Sequence, residues 1–347
     1  MNKLTSPEAL MQLVYLFRPI RIILTAFELD VFSVIGEKTM TSREIAKRTK
    51  TNTKGMDRLL NALCAPGLLT KRKGKFANTP LSKKYLVSGG PDFLAGLGHS
   101  VDMWDSWSTL TQAVIHGKTV IKRGPLKREG KRLSGFIAAM DQRASAQAAE
   151  TVKRLDLTGV RRTLDIGGGS GAYSIALALA KKDLRATVFD LPNVIPLTRA
   201  YVRKSKVAAR IDFVEGDFHR GGFGSGYDLI LVSAVIHMNS LPENLNLLKK
   251  VVRALNPGGQ LVIQDYIMSE DRTKPEQGAF FALNMLTRTE AGDAYTEREV
   301  RELMKEAGLS RIARIKIPFA TALIVGKNGG LCQKRRPDPA SGKRTSF

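Results

Sequence analysis

The stretch Thr163-Leu-Asp165-Ile-Gly167-Gly-Gly169-Ser-Gly171-Ala172 constrains this chain more than any other, because a short apolar run breaks into closely spaced glycines and then into an apolar helical pattern, SIALALA. That order predicts a strand, a tight turn and a helix start. Gly167, Gly169 and Gly171 permit positive φ and let a ligand approach the backbone amides of the helix N-terminus, where a nucleotide-like cofactor is expected. The same residues satisfy the dinucleotide spacing Gly167-x-Gly169-x-x-Ala172, so the glycines alone leave NAD and other adenosine cofactors both open.

The residues downstream narrow the choice. A second β-branched and aromatic run, ATVFD, ends at Asp190 and is followed by Leu191. One carboxylate at such a strand tip can accept hydrogen bonds from both ribose hydroxyls. A third run, Arg210 to Phe218, closes on Gly216-Asp217-Phe218, which offers a carboxylate to an adenine amine and an aromatic face to its ring. A fourth, Tyr227 to Ser233, runs into Ala-Val-Ile-His237. A helix at about 242–255 then leads through Asn256-Pro-Gly-Gly to a fifth run, Gln260 to Asp265. Strand and helix alternate, which predicts a mainly parallel α/β sheet covered on both faces. After a helix at about 296–307, the runs Ser310–Ile317 and Ala320–Gly326 are separated by only two residues, too few for a crossover helix. They are expected to form an antiparallel hairpin or to sit apart.

Four blocks in this order, the acid two residues before the first glycine, VFDLP, GDF and LNPGG, resemble those of class I methyltransferases that use S-adenosylmethionine (SAM) and release S-adenosylhomocysteine (SAH). The resemblance covers residues 162–326. It implies a Rossmann-like sheet, mostly parallel with a terminal antiparallel hairpin. It also implies cofactor contacts from Asp165, Gly167, Gly169, Gly171, Asp190, Leu191, Asp217, Phe218 and Ser233. VFDLP, the histidine after the fourth strand and the N-terminal part are similar to the small-molecule O-methyltransferase branch, which carries an N-terminal winged-helix dimerisation domain.

Length and composition fit two domains: 347 residues with 43% hydrophobic content suffice for two cores. The expected layout is a winged-helix dimerisation domain over 1–115, a basic linker over 116–133, a SAM-binding domain over 134–327 and a basic, disordered tail over 328–347. No apolar run is expected to approach the roughly 18–20 residues that span a bilayer, and the first residues lack signal-peptide order. The expected location is cytoplasmic. Cys64 and Cys332 lack metal-ligand spacing, so neither a disulfide framework nor a zinc site is indicated. The net charge is +23. Residues 118–132 carry seven Lys/Arg against one Glu and residues 327–347 six against one Asp, so these two segments supply 11 of the excess charges. Neither interleaves aromatic residues to stack bases, which favours a solvated loop and tail over a nucleic-acid site.

The N-terminal part begins with apolar positions at helical spacing from Ala9 to Ile35, interrupted at Arg18-Pro19. Thr41-Ser-Arg-Glu44 is a capping box, Asn52 or Thr53 can cap a second helix, and Gly67 to Pro80 reads as two short strands around a Lys-Gly turn. Helix, helix and hairpin make a winged-helix pattern, which raises DNA binding as a rival. The second helix offers only Lys54 and Arg58 as exposed bases. The surplus of apolar helix over 9–35 and 93–115 points instead to a protein partner, a second copy of the chain.

Removing a proton from a hydroxyl acceptor suits a histidine. His237 stands beyond the fourth strand, at the sheet edge where open α/β folds bind ligands. The resemblance makes it the catalytic base, assisted by Asp265 or Glu290. Met140, Asp141, Phe281, Asn284 and Met285 are candidates for the wall of a pocket for a flat, largely apolar acceptor, with a structural role as the competing reading. His99, His116 and His219 are read as structural or solvated. A carbon or nitrogen acceptor, and a winged-helix regulator that keeps a SAM-sensing domain, remain the alternatives.

Overall fold

A computed structural model describes residues 3–121 and 130–329. They form two compact units. One comprises Met1–Ala148 with Pro196–Tyr201 and Leu286–Glu290; the other comprises Ala149–Ile195, Val202–Met285 and Ala291–Phe347. The tail beyond residue 329, with Cys332, and residues 122–129 of the basic linker lie outside the described residues.

The first unit opens with helices Pro7–Tyr15, Phe17–Glu28 and Val31–Ile35. Ser6 starts the first by accepting the Ala9 N–H at 3.2 Å. The expected interruption at Arg18-Pro19 falls instead at Leu16, because Pro19 sits in the first turn of the second helix, where its missing N–H costs no intrahelical bond. By length and composition Pro7–Glu28 could cross a membrane, contrary to the expectation that no run comes near that length. Leu10, Met11, Val14, Tyr15, Phe17 and Ile20 are exposed.

Helices Ser42–Thr49 and Thr53–Cys64 follow, then a small antiparallel sheet of β1 (Met40–Thr41), β2 (Leu69–Arg72) and β3 (Lys75–Asn78) in the order β1-β3-β2. Thr41 and Glu44 close the expected capping box, and Asn52 caps the second helix through the amides of Lys54 and Gly55. Lys73 and Gly74 both take positive φ in the β2–β3 turn, the backbone a two-residue hairpin requires. Phe32, Ile35, Ile45, Met56, Leu60 and Phe76 are buried at the centre of this winged helix. Each contributes roughly 1.5–3 kcal/mol by leaving water. Helices Leu97–Trp107, Leu110–His116 and Gly130–Val152 complete the helical part.

The second unit is built on a seven-stranded sheet: β4 (Arg162–Ile166), β5 (Arg185–Asp190), β6 (Ile211–Glu215), β7 (Tyr227–Ser233), β8 (Leu255–Asp265), β9 (Leu309–Lys316) and β10 (Ala322–Asn328). Their order is β6-β5-β4-β7-β8-β10-β9. The first five pair in parallel, and β10 lies antiparallel between β8 and β9. The two terminal runs thus form the antiparallel hairpin. β8 starts five residues earlier than its apolar run, because Asn256-Pro-Gly-Gly continues the strand with Gly258 at φ +76°. The chain builds outward from β4 to β6 and then returns to add β7 on the other side of β4, which makes the carboxyl ends of β4 and β7 a switch point where ligands of open sheets bind.

Candidate active site

β4 ends at Ile166 and the glycine turn leads to the helix Ala172–Ala180. Gly167, Gly169 and Gly171 all take positive φ, at +68°, +56° and +80°. A Cβ on Gly169 would meet open space, whereas one on Gly168 would stand 2.8 Å from the Val188 side chain and 2.9 Å from the Asp165 carboxylate. The turn is therefore tight against the sheet beneath it and open above Gly169, as a cradle for a ligand must be.

Two carboxylates hold this turn. Asp190, at the end of β5, accepts the Gly169 N–H at 2.8 Å and the Leu191 N–H at 2.7 Å, one on each oxygen. Burial pushes its pKa up and the two amides oppose that shift. Asp165 is 2% exposed and accepts the Ser174 hydroxyl at 3.0 Å. Burial pushes its pKa up to about 7; the Ser174 hydrogen bond opposes this and the charge of Asp190 adds to it. Sequence reasoning saw Asp190 as a ribose acceptor and missed that it also fastens the glycine turn to the next strand.

Beyond β6, the Gly216 N–H donates to the Asp190 carbonyl at 2.9 Å, which brings the Gly216-Asp217-Phe218 segment beside the same acid. Gly216 leaves no room for a side chain, since a Cβ there would lie 2.5 Å from the Phe189 ring. One oxygen of Asp217 accepts the His219 N–H at 2.9 Å. The Lys250 ammonium, on the helix Leu241–Ala254, is buried and donates to the Phe218 carbonyl. The cradle, the acid at the tip of β5 and the acid-aromatic pair after β6 stand in the order an adenosine needs, and they fit SAM.

The turn after β7 carries the other half of the site. Ala234 takes φ +55°, a strained conformation for a residue with a Cβ, and its N–H donates to the Gln264 carbonyl at 2.9 Å. A single helical turn, Ile236–Met238, then presents His237, which is 8% exposed. Its Nδ1 lies 3.0 and 2.9 Å from the two oxygens of Asp265, at the end of neighbouring β8. The Tyr266 N–H donates to the same carboxylate at 2.9 Å. The Phe281 ring packs edge-on against the imidazole with centroids 4.6 Å apart.

A buried polar network that sequence reasoning missed fixes this turn at both ends. Asn244 donates to the Ile236 carbonyl at 2.8 Å and accepts from the Asn239 side-chain amide at 3.0 Å, and the Tyr295 hydroxyl donates to the Asn239 carbonyl. The signal was present: Asn244 occupies the buried face of its helix with Leu247, Leu248 and Val251, where an amide needs a partner.

Of the other predicted residues, Ser233 ends β7, and Asn284 and Met285 are buried on the helix Glu276–Arg288 with Phe281. Met140 and Asp141 lie half-buried in the first unit, where Asp141 accepts the Ser145 hydroxyl at 3.2 Å. Glu290 is exposed, and the acid hydrogen-bonded to His237 is Asp265. His99 packs edge-on against Phe136, and His219 lies beside Phe218.

Comparison with known proteins agrees with this geometry. The O-methyltransferase domain model matches residues 107–310 and the O-methyltransferase dimerisation domain model matches residues 11–88. The chain belongs to the O-methyltransferase family. It is 30% identical to 3-hydroxy-5-methyl-1-naphthoate 3-O-methyltransferase of Streptomyces sahachiroi, over 87% of this chain and 89% of that protein. It is 27% identical to the tetracenomycin polyketide synthesis 8-O-methyl transferase TcmO of Streptomyces glaucescens, over 92% and 96%. Among solved structures it is similar to PigF with SAH, with a TM-score of 0.81 and 27% identity over 93% of this chain and 100% of that one. The chain is thus a SAM-dependent O-methyltransferase with a dimerisation domain, and its cofactor is SAM.

Proposed function

We propose that this O-methyltransferase methylates a hydroxyl on a small aromatic or polycyclic acceptor, with His237 as general base and Asp265 as the acid that orients it. When bound, SAM supplies a methyl on a sulfonium, which passes in line to the acceptor oxygen. Asp265 accepts the Nδ1 proton of His237, which leaves Nε2 as the atom that takes the acceptor's proton. The carboxylate then steadies the imidazolium that forms. Asp190 holds the ribose above the open glycine turn, Asp217 and Phe218 hold the adenine, and Leu191 and Ser233 flank them. Asp165 acts through the turn rather than by contact, since its carboxylate is buried beneath it. Phe281, Asn284 and Met285 form the acceptor wall.

The observation that carries this reading is the paired contact of His237 with both oxygens of Asp265 at the switch point of the sheet. The aromatic acceptor is supported by the naphthoate and tetracenomycin enzymes among the relatives. The partners in this reading are the acceptor and a second copy of the chain, joined through the exposed apolar helices of residues 7–28, rather than nucleic acid or a membrane. The compartment in this reading is the cytoplasm. Incubation with isotopically labelled SAM and a panel of hydroxylated naphthalenes and larger polycycles, beside the matching amines, tests the reading. Methyl ethers are the expected products; label only in amines or ring carbons would overturn it.

A further inference from the structure

One face of the helix Leu241–Ala254 packs into the core of the second unit through Leu247, Leu248, Val251 and Ala254. Lys250 stands three residues after Leu247 and four before Ala254, so it shares their side of the helix. It is only 8% exposed. An apolar side chain would cost nothing there, whereas an ammonium gives up its water and needs other groups to replace it. Those groups lie in the segment after β6. The ammonium donates to the Phe218 carbonyl and stands 5.7 Å from the centre of the Phe223 ring, within range of a cation–π contact. Burial pulls the Lys250 pKa down, the charge of Asp217 opposes that shift and Arg253 adds to it.

The same segment is fastened to β5 at both of its ends. The Gly216 N–H donates to the Asp190 carbonyl at 2.9 Å, and the Phe223 ring packs edge-on against Phe189 with centroids 5.0 Å apart. Between these points the chain closes on Asp217, whose carboxylate accepts the His219 N–H and whose carbonyl accepts the Arg220 N–H, both at 2.9 Å. Residues 216–223 are therefore a short loop pinned at its ends to β5 and at Phe218 to Lys250. The lysine grips the loop beside the acid and at the aromatic residue.

We infer that Lys250 is a positioning residue for the adenine of the cofactor: through the Phe218 carbonyl it fixes the loop so that the Asp217 carboxylate meets the adenine amine. This rests on the function proposed above, which gives Asp217 and Phe218 to the adenine. Lys250 touches no reacting atom and acts through the loop alone. The core keeps a charge that lowers its stability because that charge orders the loop.

The matched probes are SAH and the SAH analogue that carries unsubstituted purine in place of adenine, which differ only in the amine. Calorimetry on the full chain measures both affinities for the wild type, Lys250→Met, Lys250→Arg and Asp217→Ala, and the thermal midpoint of each is taken without ligand. The wild type is expected to prefer SAH by about 10- to 100-fold, the scale of a hydrogen bond to a charged group, and Asp217→Ala to abolish that preference. Lys250→Met keeps the apolar stem, so its thermal midpoint should match or exceed that of the wild type while its preference for SAH falls by about threefold or more. Lys250→Arg keeps a cationic donor and should restore part of the preference. A Lys250→Met variant that retains the full wild-type preference, loses affinity for both probes equally or fails to fold would overturn the inference and leave the reading of Asp217 in place. No preference in the wild type, or one that survives Asp217→Ala, would remove the adenine assignment and the inference with it.

Discussion

The Nδ1 atom of His237 sits between the two oxygens of Asp265, at 3.0 and 2.9 Å, across the ends of neighbouring strands β7 and β8. With the Tyr266 amide on the same carboxylate, the acid is fixed from two sides and fixes the ring in turn. Asp265→Asn is expected to lower kcat by about 10²-fold or more, because a neutral amide neither selects the tautomer nor steadies the imidazolium. Glu290→Gln should stay within a few-fold of the wild type. Steady-state kinetics on one acceptor compare them; equal effects would contradict the assignment of Asp265.

Asp190 fastens the glycine turn and, in the proposed function, also accepts the ribose hydroxyls, so its loss should be felt twice. Asp190→Ala removes the ribose acceptor and frees the Gly169 amide from the end of β5. The affinity for SAH by calorimetry is expected to fall by about 1.5–3 kcal/mol or more. Affinity within experimental error of the wild type would place the cofactor elsewhere.

Asp165 makes the folded protein sensitive to pH. Its pKa rises to about 7 through burial, against a carboxylate near 3.9 in the unfolded chain. The folded state therefore holds this proton more tightly, so the stabilising contribution is complete below about pH 4 and is lost as the pH rises through 7. Measured without cofactor, the stability of the wild type relative to Asp165→Asn is expected to decline between those limits, by at most about 4 kcal/mol, and to level off above them. A difference that does not change with pH would show that the acid ionises freely.

The exposed residues Val14 and Phe17 belong to the segment matched by the dimerisation domain. Val14→Glu combined with Phe17→Glu should convert a dimer into a monomer in analytical ultracentrifugation, since two charges cannot be desolvated in an apolar interface. An undisturbed dimer would move the interface to other helices.

Much of this fold is legible because its signals are local. The glycine turn, the capping box at Thr41 and the Lys73-Gly74 turn each follow from a few adjacent residues whose backbone needs are specific. The site is legible where it stands at strand ends, as with Asp190 and His237. What escaped depends on contacts between residues distant in sequence: the Asp190–Gly169 bond spans 21 residues and the Tyr295–Asn239 bond spans 56. The contact of Asp265 with His237 likewise needs β7 and β8 to be neighbours.

The central claim is that His237 takes the acceptor's proton, and the turnover of His237→Ala on an identified acceptor measures it most directly. The account predicts that SAH affinity stays near that of the wild type while kcat falls by about 10²–10⁴, the usual contribution of a positioned base. A variant that turns over the same acceptor at close to the wild-type rate would contradict it.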